Sequence, residues 1–296
     1  MPDYLLRALR LPFITASVLP FIFGSLISRQ NFNLPGFLAG LFAVAFTHSS
    51  ANLINDYFDS KSGVDWQDKK YYVFFGGSKL IQENVVPEKF YLRLAEFSAG
   101  IALLCVILLA FILKSFFVLL IFLLIIILSW QYTARPLRFS YNYLGEAFIF
   151  LLFGPVLVAG GYFIQTGIAF DWRSFILSLS PGFFTAAILF ANEIPDFPDD
   201  KKSGKNNLVS LCGDRHAFFL YLLIVSLGFC SIGLGIYLGY LGRVCVFSFL
   251  LIILAVKAGV ILKGNYSDKA RLISSSKLTI QIQALVSIML ILGVLL

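Results

Sequence analysis

Two short acidic motifs, one at residues 52–59 and one at residues 192–200, each lie where a long apolar stretch of the chain ends. In each motif an asparagine precedes an aspartate by four residues, and another aspartate follows three or four residues later. The residues are Asn52, Asp56 and Asp59 in the first motif and Asn192, Asp196 and Asp200 in the second. Carboxylates this dense repel one another unless a cation lies among them. The motifs therefore predict a divalent-metal site built from two distant parts of the chain.

Magnesium suits such a site because it is a hard ion that binds one or two carboxylates together with substrate phosphates and water. We expect two Mg²⁺ ions, one on each motif, and a diphosphate substrate whose negative charge they offset. The metal-binding and catalytic residues would be Asp56, Asp59, Asp196 and Asp200. Asn52 and Asn192 would contact phosphate or metal-bound water and orient the ligands.

Basic residues near the motifs are candidates for contacts to the diphosphate, since lysine and arginine pair with phosphate oxygens. The candidates are Lys61, Lys79, Arg135, Lys201 and Lys205. Each one taken alone is better explained as a charge that sets membrane topology, but we expect two or three of the group to bind. The Gly-Gly turn at residues 76–79 would offer backbone N–H groups to an anion, although an ordinary loop turn explains it equally well.

Some residues in and around the motifs have simpler interpretations. His48, one helical turn before the first motif, is interpreted as a hydrogen-bonded packing residue. Asp199 is expected to be solvated. Pro195 and Pro198 predict that the helix of the second motif kinks or ends near residue 194, because proline removes a backbone donor and clashes with the preceding turn.

The elements that carry these residues are apolar. The chain of 296 residues is 59% hydrophobic and 13% charged, whereas soluble domains carry about 25% charged residues. Nine stretches are long enough to cross a bilayer core of about 30 Å as helices. They cover residues 11–28, 34–55, 90–113, 115–133, 144–166, 174–195, 216–239, 244–262 and 278–296. The sequence therefore predicts an all-α integral membrane protein with nine transmembrane helices.

Lysine and arginine are concentrated in alternate loops, including those that follow both acidic motifs. The positive-inside rule places these loops and the N-terminus in the cytoplasm, and the C-terminus on the opposite side of the cell membrane. The formal net charge of +7 therefore suits anionic lipid and anionic substrate. Nucleic acid is not expected as a partner, because the charge belongs to loops between membrane spans.

The two motifs also indicate an internal repeat. They end the second and the sixth stretch, so four spans separate them and both helices run in the same direction. This spacing predicts a parallel repeat of four helices with a ninth helix added, unlike the inverted repeats of many transporters. A single transmembrane domain covering residues 1–296 is the simplest organisation.

The chain resembles the UbiA-type membrane prenyltransferase superfamily in both acidic motifs, in Lys61-Ser-Gly-Val-Asp65 and in Tyr132-Thr-Ala-Arg-Pro136. Asn55-Asp-Tyr-Phe-Asp59 followed by Lys61-Ser-Gly-Val-Asp65, together with Phe153-Gly-Pro155 and Gln165-Thr166, is similar to 1,4-dihydroxy-2-naphthoate polyprenyltransferases of menaquinone synthesis. The chain departs from the family at three positions. Many members carry another aspartate where this chain has Gly63, and Arg and Thr are common where it has Asn206 and Asn207.

The resemblance implies a helical bundle around a central cavity that opens to the cytoplasm and to lipid. It also implies two Mg²⁺ ions on the aspartates and transfer of a polyprenyl group from prenyl diphosphate to an aromatic acceptor, with 1,4-dihydroxy-2-naphthoate favoured. One alternative is the same chemistry on another acceptor, such as hydroxybenzoate. A cation-coupled transporter is a second alternative, but it would place acids near mid-span, and nearly all acids here lie towards the cytoplasmic side. The oligomeric state is left open.

Overall fold

The computed structural model describes residues 3–28, 30 and 32–296, and every regular element in these ranges is helical. In chain order the helices are α1 (Asp3–Ala8), α2 (Leu11–Leu26), α3 (Leu34–Ser62), α4 (Glu88–Leu113), α5 (Phe117–Gln131), α6 (Gly145–Thr166), α7 (Trp172–Lys202), α8 (Leu208–Cys212), α9 (Ala217–Tyr237), α10 (Arg243–Asn265) and α11 (Lys269–Leu295). The prediction of an all-α protein is confirmed.

Seven of these helices are long and apolar enough to cross a membrane, namely α3, α4, α6, α7, α9, α10 and α11. Helices α2 and α5 are apolar but shorter. The apolar length of the seven helices identifies a multi-pass membrane protein.

Local residue chemistry sets several helix ends. The side chain of Asn33 accepts a hydrogen bond from the Gly36 N–H at 2.9 Å and caps the start of α3. Asp171 caps α7 in the same way, through the Ser174 N–H at 2.8 Å. Gly63, with φ of 86°, ends α3 in the left-handed conformation that glycine adopts without steric cost.

Helix α7 does not end near residue 194 but continues through Pro195 and Pro198 to Lys202. Neighbouring helices and local adjustments stabilise prolines inside membrane helices, so the loss of a backbone donor need not end one. As a result, Asn192, Asp196 and Asp200 follow one another at four-residue intervals along a continuous helix. This spacing places them on one face.

Helix α7 is central to the packing, since it contacts α6, α9 and α11. Its buried apolar residues, among them Phe184, Phe190 and Ile194, belong to the largest hydrophobic cluster of the described chain. Helix α3 packs along α4, and α2 packs along α6 and α11. Helices α2 and α6 each contact both helices that carry the acidic motifs, and α3 and α7 face each other across the space between them.

Glycines allow α2 and α6 to approach closely. A Cβ atom on Gly24 would lie 2.2 Å from the carbonyl oxygen of Val158, and one on Gly161 would lie 2.5 Å from that of Phe21. Both contacts are with backbone atoms, which cannot move aside as a flexible side chain can. The helices can therefore keep this spacing only with glycine at these positions.

We expect Gly161→Ala to lower the free energy of unfolding by about 1–3 kcal/mol, because the added methyl group forces α2 and α6 apart. Gly160→Ala is the matched control, since a Cβ on Gly160 has no neighbour within 4 Å. That change should be neutral or slightly stabilising, as alanine is the better helix former. Thermal unfolding of both variants in detergent measures the difference, and equal unfolding temperatures would contradict the close approach.

Candidate active site

A cavity of about 580 Å³ lies between helices α2 to α7. One end is polar and is lined by both acidic motifs and by lysines. The other end is apolar and is lined by Phe21, Val106, Leu109, Phe117 and Ile164. The cavity thus joins a charged region at the ends of α3 and α7 to an apolar region deep among the helices.

The first motif presents only part of its side chains to this cavity. Asn52 and Asp59 line it, as does His48 one helical turn earlier, whereas Asp56 is buried beside it. One carboxylate oxygen of Asp56 pairs with the Arg10 guanidinium, and the other accepts a hydrogen bond from the Ser78 N–H at 3.2 Å. Both oxygens of this predicted metal ligand are therefore engaged by protein groups.

The expectation that His48 is a hydrogen-bonded packing residue agrees in part with the structure. Its Nδ1 atom is hydrogen-bonded to the Ser17 hydroxyl, and its ring contacts the edge of Phe153. The residue is buried and lines the cavity, however, and its Nε2 atom has no hydrogen-bond partner.

Lys205 joins the two motifs. Its Nζ atom lies 3.8 Å from Asp59 Oδ2 and 3.6 Å from Asp200 Oδ1. Burial lowers the pKa of an amine, but the carboxylates of Asp200 and Asp59 outweigh burial here and hold the pKa of Lys205 well above its ordinary value. Lys205 therefore remains a cation between two carboxylates from different helices.

Further hydrogen bonds orient the two carboxylates that Lys205 joins. The Tyr141 hydroxyl donates to Asp59 Oδ1 at 2.9 Å, and the Asn207 side-chain amide donates to Asp200 Oδ2 at 3.2 Å. Asn207 also caps α8. This departure from the family pattern thus has a structural role in holding Asp200.

The second motif contacts the loop that follows the first. Asp196 Oδ2 accepts a hydrogen bond from the Gly76 N–H at 2.9 Å. The expectation that Asp199 is solvated is wrong, because Lys269 Nζ lies 2.7 Å from Asp199 Oδ2 and 2.9 Å from Asp68 Oδ2. Lys269, at the start of α11, thereby links α7 to the loop.

The Gly-Gly turn is held by a buried ion pair. Gly76 and Gly77 have φ of 73° and 79°, and Lys79 has φ of 59°. The Lys79 ammonium lies 3.0 Å from Asp65 Oδ1 and also donates to the Asp65 carbonyl oxygen at 2.9 Å. Burial raises the pKa of Asp65 to about 7, although the Lys79 charge acts in the opposite direction. The turn is thus fixed against the polar end of the cavity.

The structure separates the five basic candidates into two groups. Lys79 and Lys205 line the cavity. Lys61, Arg135 and Lys201 do not: Lys61 pairs with Glu88 at 2.6 Å, Lys201 is exposed over the Phe197 ring, and Arg135 is exposed. Both predicted asparagines, Asn52 and Asn192, line the cavity.

Several residues at the polar end were not among the sequence candidates. These are Arg10, Asp65, Asp68, Tyr132, Tyr141 and Lys269. Arg10 is the last charge before the first apolar stretch, and Lys269 is the first residue of the last helix. Their positions at helix ends are the only sequence signal for them, because their partners lie far away in the chain.

We expect Lys269→Met to lower the free energy of unfolding by about 1–3 kcal/mol, because two charge-assisted hydrogen bonds are lost. Lys61→Met is the control, since the Lys61 side chain is 51% exposed and solvent screens its pair with Glu88, so its loss should have little effect. Chemical denaturation of the two variants tests this. A larger effect for Lys61→Met would show that the loop is not held by Lys269.

The donor set fits magnesium. Within the described ranges no three His, Cys, Asp or Glu side chains form a ready-made metal cluster. Mg²⁺ does not require one, because it commonly takes one or two carboxylates and completes its shell with water and phosphate. Carboxylate oxygens of both motifs are present at the polar end, and the buried Oδ1 atom of Asn192 has no hydrogen-bond partner. Oxygen donors therefore face the cavity from both halves of the chain.

The sequence of residues 17–280 matches the model of the UbiA prenyltransferase family. The chain belongs to this family. The family suggested by the acidic motifs is thus confirmed.

Curated relatives in the family include naphthoate enzymes. The chain is 30% identical over 209 residues to 1,4-dihydroxy-2-naphthoate octaprenyltransferase of Bacillus subtilis (strain 168), covering 70% of this chain and 65% of the relative. It is 27% identical over 281 residues to 2-carboxy-1,4-naphthoquinone phytyltransferase of Synechocystis, covering 92% and 86%. The match to the Bacillus protein thus spans slightly less than two thirds of that relative's length.

Solved structures share the fold. A UbiA homolog from Aeropyrum pernix K1 superposes with a TM-score of 0.70 at 17% identity, covering 95% of this chain and 96% of that one. A UbiA homolog from Archaeoglobus fulgidus bound to DMAPP and Mg²⁺ gives a TM-score of 0.64 at 18% identity, covering 96% and 98%. At this identity the likeness establishes the architecture.

Proposed function

We propose that this protein transfers a polyprenyl group from prenyl diphosphate to an aromatic acceptor within the membrane. The observation that carries the proposal is a single cavity with a charged end and a long apolar end. A prenyl diphosphate has the same division, since its head is highly charged and its tail is a hydrocarbon. Family membership supports the same reaction.

The four aspartates, Asp56, Asp59, Asp196 and Asp200, are proposed to hold two Mg²⁺ ions, one for each motif. When bound, the ions would offset the negative charge of the substrate's diphosphate group, and also the charge that this group carries as it leaves. The Archaeoglobus homolog bound to DMAPP and Mg²⁺ supports magnesium as the ion. Asn52 and Asn192, one turn deeper on each helix, would hydrogen-bond phosphate or metal-bound water.

Three cations at the polar end are proposed to bind the diphosphate. Lys79 and Lys205 come from the sequence candidates, and the structure adds Arg10. Lys61, Arg135 and Lys201 are not included, because they lie outside the cavity. Each cation in the free protein pairs with a carboxylate, so it is held in place before the substrate arrives. Such preorganisation reduces the ordering cost of binding.

The apolar end is proposed to hold the prenyl chain. Helix α5 packs on α3 and α4 and has little contact with α6 among the described residues. Phe117 on α5 lines the cavity and is 51% exposed, and its ring lies 6.2 Å from that of Phe163 on α6. A long hydrocarbon chain can therefore extend between these two helices into lipid, where its contact with water is minimal.

The acceptor is proposed to be 1,4-dihydroxy-2-naphthoate, which would place the protein in menaquinone biosynthesis. Two naphthoate relatives support this choice. The enzyme needs no nucleophile of its own, because an electron-rich ring attacks the prenyl carbon as the bond from that carbon to the diphosphate breaks. The ring then regains its aromaticity by losing a proton, or its carboxylate group as CO₂. Binding, orientation and exclusion of water are the tasks left to its residues.

The complete architecture is also a proposal. We infer that α2 and α5, with 16 and 15 residues, cross the membrane as well, because both are apolar and line the cavity together with the longer spans, although each alone covers only about 22–24 Å at about 1.5 Å per residue. This gives nine spans, arranged as a parallel repeat of four helices plus α11, in one domain over residues 1–296. The basic loops support a cytoplasmic N-terminus and polar end, with the C-terminus on the opposite side.

The direct test supplies purified protein with Mg²⁺, a radiolabelled prenyl diphosphate and a panel of acceptors. Prenylated naphthoate as the only product would support the proposal. Product on hydroxybenzoate instead would keep the chemistry and change the acceptor. The absence of any product, together with cation flux across vesicles that contain the protein, would favour a transporter.

A further inference from the structure

The four aspartates proposed to bind magnesium are not equivalent. Three of them are paired with basic side chains, namely Asp56, Asp59 and Asp200. Asp196 has no ion pair among the described residues, and it lines the cavity. Its Oδ2 atom accepts a hydrogen bond from the uncharged Gly76 N–H at 2.9 Å. A cation that enters the cavity therefore meets, at Asp196, a carboxyl group that no basic side chain contacts.

Asp56 is the most fully engaged of the paired aspartates. Arg10 pairs with its Oδ1 atom, the Ser78 N–H donates to its Oδ2 atom at 3.2 Å, and only 3% of its side chain is exposed. A guanidinium in direct contact with a carboxylate repels a second cation at the same oxygen atoms. Mg²⁺ can therefore bind Asp56 only after the Arg10 side chain has moved away.

Arg10 is placed so that it can bind at either side. It lies in the turn between α1 and α2 with φ of 48° and ψ of 49°, a left-handed conformation that is uncommon for residues other than glycine. Arg10 lines the cavity, whereas Asp56 does not. Among the described residues, Asp56 is the only hydrogen-bond acceptor of the Arg10 side chain, although a guanidinium has five N–H donors. The other donors can therefore bind an anion that enters the polar end of the cavity.

We propose that Arg10 changes partner when a diphosphate binds, and that this change frees Asp56 for Mg²⁺. This inference rests on the proposed function. A diphosphate carries more negative charge than one carboxylate and accepts paired hydrogen bonds from a guanidinium, so it can draw Arg10 away from Asp56. The freed carboxylate and the diphosphate then share the second ion. In the free protein one ion binds at Asp196, and the second binds only together with a diphosphate.

The test counts bound Mn²⁺, used in place of Mg²⁺, by equilibrium dialysis of the purified protein. The wild-type protein should bind one ion per chain alone and two with geranyl S-thiolodiphosphate, an analogue that keeps the charged head but resists cleavage. Arg10→Met should bind two ions without the analogue. Its second ion should bind at least about 10-fold more tightly than in the wild type, since the competing cation is gone. Adding Asp56→Asn to Arg10→Met should remove the second ion.

Arg7→Met is the matched control. Arg7 lies one helical turn before Arg10, and its side chain donates to the Ser78 carbonyl oxygen at 2.6 Å and pairs with Glu83 at 2.7 Å. It therefore holds the same loop but does not pair with Asp56. This variant should bind one ion without the analogue, as the wild type does.

Two ions on the wild-type protein without a diphosphate would overturn the proposal, and so would an Arg10→Met protein that still binds one. The first of these results uses the unaltered protein, so it does not depend on how well a variant folds. The ions are counted without an acceptor and without turnover. A wild-type protein that binds the ions as expected but transfers no prenyl group to any acceptor would contradict the proposed function and leave the exchange of Arg10 standing.

Discussion

Replacing Asp196 by asparagine is expected to reduce prenyl transfer by roughly 10²–10³-fold while the fold is retained. Asp196 Oδ2 accepts the Gly76 N–H, and the side-chain oxygen of asparagine can accept the same bond. The substitution therefore removes the negative charge and leaves the contact to the loop. Loss of that charge weakens the hold on the cation that offsets the departing diphosphate.

The measurement is kcat with saturating prenyl diphosphate and Mg²⁺, together with the thermal unfolding temperature. Asp214→Asn is the control, because Asp214 lies in the turn between α8 and α9 and does not line the cavity. Full activity of Asp196→Asn would contradict a metal-binding role for this residue. A fall in activity accompanied by unfolding would point to a structural role instead.

The sequence was sufficient to predict the helical fold and the positions of its apolar stretches, because hydropathy reports the burial of long segments in lipid. It placed the helix ends less well. The second and sixth stretches were assigned to residues 34–55 and 174–195, whereas α3 and α7 continue to Ser62 and Lys202. A helix can continue past the point where its side chains become polar, and here that extension carries the aspartates.

The spacing within each motif predicted which side chains share a helix face, since that depends on residues a few positions apart. The ion pairs could not be predicted in this way. Arg10 pairs with Asp56, 46 residues away, and Lys269 pairs with Asp68, 201 residues away. Such contacts depend on tertiary packing. For the same reason the sequence could not separate Lys79 and Lys205 from the lysines that only set topology.

Lys205→Met should have the largest effect on stability, a loss of about 3–5 kcal/mol in the absence of Mg²⁺. The lysine lies between Asp59 and Asp200, and only 16% of its side chain is exposed. Its removal leaves two buried carboxylates without a cation, and the desolvation cost of each is no longer offset. Lys205→Arg should retain most of the stability, because it keeps the charge.

The effect of Mg²⁺ on the unfolding temperature tests whether Asp59 and Asp200 form part of a metal site. If the two carboxylates form part of a metal site, Mg²⁺ should raise the unfolding temperature of Lys205→Met more than that of wild type, since the ion replaces the missing charge. Lys202→Met is the control, because its side chain is 66% exposed and it pairs only with Asp199 at 3.7 Å. If Mg²⁺ raised the unfolding temperatures of the wild type, Lys205→Met and Lys202→Met equally, Asp59 and Asp200 would not bind the ion. A selective effect would assign both aspartates to one electrostatic unit, in which the Lys205 ammonium and Mg²⁺ offset the charge of the same two carboxylates.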